Sequence, residues 1–315
     1  MTRRFDDDET VPRGTSRREA LTCMAWAGTG LLWSLTGGVP LAGMIGRAEA
    51  ATAATGFTFA QFSDSHLGFN KDPNMDPVAT LREAIADLAK LSSKPAFIIH
   101  TGDISHLSKP VEFDTAAELM KETGLPVFYV PGEHDVLTDE GVSYRERFAP
   151  NSKGDGWFSF DHDGVHFVGL VNVQNLKAGG LGNLGNEQLV WLADDLRPLK
   201  DSTPIVVFAH IPLWTVYAEW GWGTDDGANA LALLARFGSV TVLNGHIHQI
   251  MQKVEGKVAF HTARSTAFPQ PTPGSAPSAG PMKVPAGDLK NWLGTTDVTF
   301  VRGIERLAIV DHTLA

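Results

Sequence analysis

Five short segments concentrate carboxylates and imidazoles: Asp64-Ser65-His66, Gly102-Asp103, Gly132-Glu133-His134-Asp135, His210 and Gly245-His246-Ile247-His248. Carboxylate oxygens and neutral imidazole nitrogens ligate transition metals, and bound ions can polarise an ester and activate water. The chain has a single cysteine, Cys23, inside its N-terminal fifty residues, so thiolate ligation and disulfides are not available beyond it. Any one of the five segments alone reads as a turn or as a packed histidine. Their context sets them apart, because each follows a short apolar run. Residues 57–62, 96–100, 127–130, 205–209 and 240–243 are rich in Val, Ile and Phe and read as buried strands. Sites in open α/β sheets form beyond the carboxyl ends of strands, where these acids and imidazoles fall. The chain has to turn there, and Gly102, Gly132 and Gly245 are expected to supply the backbone freedom.

Between the strands, residues 77–91 show helical spacing through Leu81, Ile85 and Leu88, and residues 111–122 and 186–196 read similarly. Residues 157–160 and 165–171, joined through His162-Asp163-Gly164, read as a β-hairpin. In the last third, residues 250–255, 257–261 and 304–311 look like strands that could form a second sheet. Residues 269–287 hold six prolines among Gly, Ser and Ala and read as a loop.

The ordered set D-x-H, GD, G-E-H-D, H and G-H-x-H resembles the signature of the calcineurin-like metallophosphoesterase family, from about Phe57 to His248. That resemblance implies an α/β fold of two packed mixed β-sheets flanked by helices, a four-layer sandwich. It also implies two metal ions. One would be held by Asp64, His66, Asp103 and His248. Asp103 would bridge to the second, held with Glu133, His210 and His246. By the same resemblance a hydroxide bridging the ions attacks phosphorus, and His134 lies near the leaving oxygen of the ester. Asp135 either orients His134 or is an ordinary turn carboxylate.

The family's usual asparagine is Glu133 in this chain. With two divalent ions, the carboxylates of Asp64, Asp103 and Glu133 and one hydroxide would leave the cluster neutral, a weak attractor for a phosphate ester. An Fe(III) ion paired with divalent Fe, Mn or Zn would restore positive charge, and hard carboxylate oxygens suit a trivalent ion. The plainer alternative is an oxygen ligand of little further consequence. His106 sits where the purple acid phosphatase branch carries a metal-binding tyrosine, and reads either as a substrate contact or as a surface or core residue. His100 reads as a buried strand residue, and Asn244 as a turn residue rather than a ligand. Trp214, Tyr217, Trp220 and Trp222 crowd the loop after His210. They form either a lip that stacks an apolar or aromatic group of the substrate or simple packing onto the sheet.

The formal net charge of −10 over 315 residues argues against a nucleic-acid surface, which needs a basic face. Ser16-Arg17-Arg18-Glu19-Ala20-Leu21 precede a weakly apolar, glycine-containing stretch that ends at Ala48-Glu49-Ala50. Paired arginines before such a stretch resemble a twin-arginine export signal; the alternative is an uncleaved membrane helix, which Pro40 and the glycines disfavour. The expected organisation is a signal peptide over residues 1–50 and a metallophosphoesterase domain over 51–315. The protein would partner the twin-arginine machinery, act in the periplasm or outside the cell, and keep no stable membrane anchor. The expected activity is hydrolysis of a small phosphate ester, monoester or diester. The alternative from another class is a non-hydrolytic metal-binding protein on the same scaffold, which Glu133 keeps open and His134 argues against.

Overall fold

The computed structural model describes residues 29–36, 39–46, 56–304 and 306–315. The chain divides into two units, Met1–Ala54 and Thr55–Ala315. In the first, strands β1 (Thr29–Thr36) and β2 (Val39–Gly46) pair antiparallel. The paired arginines and the Ala48-Glu49-Ala50 pattern lie outside the described residues. Among the described residues no helix is long and apolar enough to cross a membrane.

The second unit holds two mixed sheets. One runs β13 (Ala308–Thr313), β12 (Gly294–Val301), β3 (Gly56–Phe62), β4 (Ile98–His100), β5 (Val127–Tyr129). The other runs β10 (Gln252–Glu255), β11 (Val258–Thr262), β9 (Val240–Asn244), β8 (Ile205–Ala209), β7 (Val165–Gly169), β6 (Phe158–His162). Strands β3, β4 and β5 are mutually parallel, as are β7, β8, β9 and β11. Such strands carry apolar residues on both faces because both faces are covered. Phe59, Phe97, Ile99, Phe167, Val206, Phe208 and Leu243 form the layer between the sheets. Outside the five-stranded sheet, α1 (Pro77–Asp87) and α2 (Pro110–Lys121) bury Leu81, Ala84, Phe113 and Leu119. The short α3 (Val142–Phe148) packs on the same side, with Tyr144 buried in that cluster. Outside the six-stranded sheet, α4 (Asn186–Leu196) and α5 (Gly227–Leu234) bury Leu192, Leu196, Ala230 and Leu234. This is the expected four-layer sandwich.

The late strands do not make a sheet of their own. β10 and β11 extend the six-stranded sheet next to β9, whereas β12 and β13 return to the first sheet beside β3, in register Thr296↔Gln61. Strand β12, absent from the sequence reading, is threonine-rich and alternates buried and half-buried positions.

Candidate metal centre

Five parallel strands end within four residues of the functional segments: Asp64 after β3, Asp103 after β4, Glu133 after β5, His210 after β8 and His246 after β9. The chain reverses so sharply there that Asp64, His66, Asp103, His246 and His248 all take positive φ, between 41° and 69°. Such a conformation costs an L-residue of order 1–3 kcal/mol and is tolerated only where surroundings enforce it. Here backbone bonds enforce it: Asp64 N–H donates to Gly102 O at 2.9 Å and His66 N–H to Asp103 O at 2.8 Å. The strain therefore sits on the ligands themselves. Of the three glycines, Gly102 alone uses left-handed freedom, with φ 94°. Gly132 and Gly245 supply room, since a Cβ would come within 2.0 Å of Asp103 Oδ1 at the first and 2.1 Å of Ser63 Oγ at the second.

The side chains converge as two donor groups. Asp64, His66 and His248 form one, with His248 Nε2 3.1 Å from Asp64 Oδ1 and 3.3 Å from His66 Nε2. Glu133, His210 and His246 form the other, with Glu133 Oε2 2.9 Å from His210 Nε2 and Oε1 3.0 Å from His246 Nδ1. Asp103 Oδ2 lies 3.5 Å from His66 Nε2 and 3.4 Å from His210 Nε2, between the two groups. Glu133 Oε2, His210 Nε2 and both His246 nitrogens are buried atoms with no hydrogen-bond partner. Buried polar atoms are nearly always satisfied, so Glu133 Oε2, His210 Nε2 and His246 Nδ1, which face one another without a well-aligned hydrogen bond, fit a metal site. The other nitrogens of two ligands are fixed: His210 Nδ1 donates to Thr101 O at 2.7 Å and His248 Nδ1 to Phe268 O at 2.5 Å. Those bonds turn each Nε2 lone pair toward the centre.

The electrostatics divide. Burial opposes charging His210, but Asp103 and Glu133 outweigh it and hold its pKa well above the usual imidazole range, so these carboxylates draw positive charge to the place an ion would take. Burial works against ionising Glu133, but His246 and His210 outweigh it and hold its carboxyl well below the ordinary range. Burial first, then the neighbouring His134, His248 and His106, keep His66 well below the usual imidazole range and so neutral. Burial opposes charging His134, yet Asp103 and Glu133 raise its pKa.

His134 Nδ1 donates to the carbonyl of His106 at 2.7 Å, which leaves Nε2 as its working atom. Asp135 does something else. Its carboxylate accepts from the N–H groups of Gly132, Ile104 and Ser105 and from Ser105 Oγ, clamping the Asp103 loop to the Glu133 loop. Of the two readings for Asp135, the turn carboxylate is the one observed, and the His106 carbonyl orients His134. The aromatic loop divides. Trp222 is fully buried and Trp214 packs on Phe260 of β11 at 4.8 Å, so both support the loop and neither forms a lip. Tyr217 and Trp220, half-buried and edge-to-face at 5.3 Å, are the rings left for that role.

Several residues at the centre carried no sequence signal. Phe268 stacks on His66 at 4.6 Å and leans on His248 at 4.7 Å. Ser265 Oγ donates to Asp64 O at 2.7 Å and accepts from the N–H groups of Ala267 and Phe268. Asn244 is buried rather than a free turn residue, donating to Ala209 O and Ile211 O to tie the ends of β8 and β9 together. His100 is the buried strand residue expected. It accepts from Gly102 N–H and meets Ser65 Oγ at 2.9 Å, and burial brings its pKa down to about 3.

A double sheet with two converging donor groups and one shared carboxylate defines a metal-dependent phosphoesterase scaffold. Residues 57–250 match the Calcineurin-like phosphoesterase family, and the chain belongs to it. A curated relative from Arcobacter nitrofigilis, named "Probable glycerophosphodiester phosphodiesterase", is 26% identical over 215 residues, covering 65% of this chain and 77% of the relative. A serine/threonine-protein phosphatase from Danio rerio is 27% identical over 222 residues, covering 61% and 70%. A solved dimetal phosphatase from Danio rerio superposes with a TM-score of 0.55 at 16% identity, covering 82% of this chain and 99% of that one, and so shares the fold.

Proposed function

We propose that this chain is an exported hydrolase of small phosphoric esters that works with two metal ions, the first in the Asp64–His66–His248 group and the second in the Glu133–His210–His246 group. The observation that carries this reading is the position of Asp103 Oδ2, 3.5 Å and 3.4 Å from one imidazole of each group. Bound ions supply Lewis-acid charge to the phosphoryl group and lower the pKa of water. The chain's own part is positional. The carboxylates of Asp64 and Asp103 and the Nε2 atoms of His210 and His248 converge with their remaining atoms committed, Asp64 Oδ2 accepting from Ser63 Oγ and Asp103 Oδ1 from His134 N–H, while both oxygens of Glu133 face His210 and His246. His134 Nε2, oriented by the His106 carbonyl, holds or gives a proton at the leaving oxygen or bonds a phosphoryl oxygen. Tyr217 and Trp220 cover the organic part of the ester.

Glu133 supports a further choice within this reading, an Fe(III) ion beside a divalent Fe, Mn or Zn, since three carboxylates together with one hydroxide would cancel the charge of two divalent ions. Export rests on Arg17-Arg18 and the Ala48-Glu49-Ala50 pattern, with residues 1–50 removed and the product periplasmic or secreted. Phosphodiester and phosphomonoester substrates both fall within this proposal, supported by one relative named a phosphodiesterase and another named a protein phosphatase.

The test is hydrolysis of a chromogenic phosphomonoester and its diester counterpart by protein lacking residues 1–50. Iron, manganese and zinc are supplied in turn, with Asp103→Asn as the control. Turnover that vanishes in the control is expected. A loaded protein that turns over neither ester would favour the non-hydrolytic alternative.

A further inference from the structure

The ligand imidazoles that point Nε2 inward differ in what holds their Nδ1. His210 and His248 donate to backbone carbonyls. His66 instead meets a side chain: its Nδ1 lies 3.4 Å from Nδ1 of His106, while its Nε2 faces His248 Nε2 at 3.3 Å and Asp103 Oδ2 at 3.5 Å. An imidazole that ligates through Nε2 keeps its proton on Nδ1. Two N–H groups cannot bond each other, so Nδ1 of His106 accepts and its proton resides on Nε2.

The surroundings hold His106 in this role. Its backbone N–H donates to Leu67 O at 2.9 Å, in line with the Leu67↔Ser105 bridge. Its ring stacks on His134 at 5.0 Å and 15°, and stands edge-on to buried Phe69 at 5.2 Å and 87°. In the next turn, buried Glu112 accepts from the N–H groups of Leu107 and Lys109, fixing the chain that follows the ring.

Resting on the dimetal reading above, we infer that His106 is a positioning residue for His66. It fixes the tautomer and ring plane with which His66 meets the ion shared with Asp64 and His248. A backbone carbonyl cannot be lost by substitution, whereas this acceptor can, so the two ions respond differently to changes at position 106.

The experiment compares zinc-loaded wild type with His106→Leu and His106→Asn, titrating each ion off with a chromogenic zinc chelator. Asparagine retains an oxygen acceptor near the place of Nδ1; leucine does not. Both lose the ring stacked on His134, and both keep the backbone carbonyl that orients His134. The expected result is that His106→Leu weakens one of two ions by about 10–100-fold and leaves the other unchanged, with His106→Asn recovering most of that loss. Wild-type affinity for both ions in His106→Leu would overturn the inference. Equal weakening in the two variants would overturn it too, because the ring rather than the acceptor would then matter. So would loss of both ions together in His106→Leu, which marks a general packing role. Fewer than two ions on the wild type would remove the dimetal reading and the inference with it.

Discussion

Gly132 offers a way to move the shared carboxylate without removing it. Its φ of −97° and ψ of 177° suit any residue, so Gly132→Ala adds no backbone strain of its own. The added Cβ would stand 2.0 Å from Asp103 Oδ1 and 2.4 Å from Asp103 N, where real Cβ contacts essentially never fall below 3.0 Å. One of the two crowding atoms is backbone and cannot swing away. Asp103, which also accepts from His134 N–H at 2.9 Å, must therefore retreat from both donor groups. Relief of the closest contact takes about 1 Å, and a displacement of that size at a reacting centre costs on the order of 100-fold in turnover. That corresponds to about 2.7 kcal/mol of activation free energy. Overpacking adds about 1–3 kcal/mol of lost stability. Gly164→Ala is the matched control: its φ is 86° and no atom lies within 4 Å, so it costs stability through strain alone. Gly164 lies in the β6–β7 turn, at the other end of the strands from the ligand loops, and turnover should survive there. The assay is kcat for the chromogenic ester at saturating metal, with thermal melting of each variant. Wild-type kcat in Gly132→Ala would show that turnover does not depend on the present place of Asp103.

Three further outcomes follow from the contacts. His166 bonds Asp161 and Asp195 at 2.8 Å and 2.9 Å, and although burial opposes the charge these carboxylates raise its pKa. Its contribution is thus full below the unfolded value of about 6.5 and fades as pH rises through the raised folded value. The gap in urea midpoint between wild type and His166→Asn should therefore shrink from pH 6 toward alkaline pH, and a gap that widens would contradict the assignment. Asp135→Leu leaves the N–H groups of Gly132, Ile104 and Ser105 without their acceptor, each worth about 1–3 kcal/mol when buried. A large fall in the denaturation midpoint is expected, with Asp135→Asn milder because it keeps one oxygen. Trp222→Ala should cost about 3–5 kcal/mol of stability as a fully buried ring, while Trp220→Ala should mainly raise KM. Equal effects on melting would remove the division of the aromatic loop.

The ligand loops were legible because two signals coincide at each. An apolar run long enough for a buried parallel strand ends, and a carboxylate or imidazole follows at once. Strands β8 and helix α4 were read to the residue, since both faces of β8 are buried and α4 repeats its apolar side through Leu192 and Leu196. Strand β12 escaped because its threonines match neither a buried run nor a clean amphipathic alternation, and its partner β3 lies more than two hundred residues away. The centre's support was less legible than its ligands. Ser265 and Phe268 act through a hydroxyl, a carbonyl and a ring face, and nothing in their spacing marks them. Asp135 was misleading for a physical reason: adjacency to His134 in sequence suggests a side-chain pair, but the tight turn at Glu133–Asp135 sends its carboxylate toward backbone N–H groups instead.

On the function proposed above, Asp103 joins two metal-binding groups. The most direct test is the number of ions bound per folded chain at saturation, by elemental analysis, in wild type and Asp103→Ala. Two ions are expected in wild type, with weakened binding of both in the variant. A single ion in wild type, or loss of only one in the variant, would contradict a shared carboxylate.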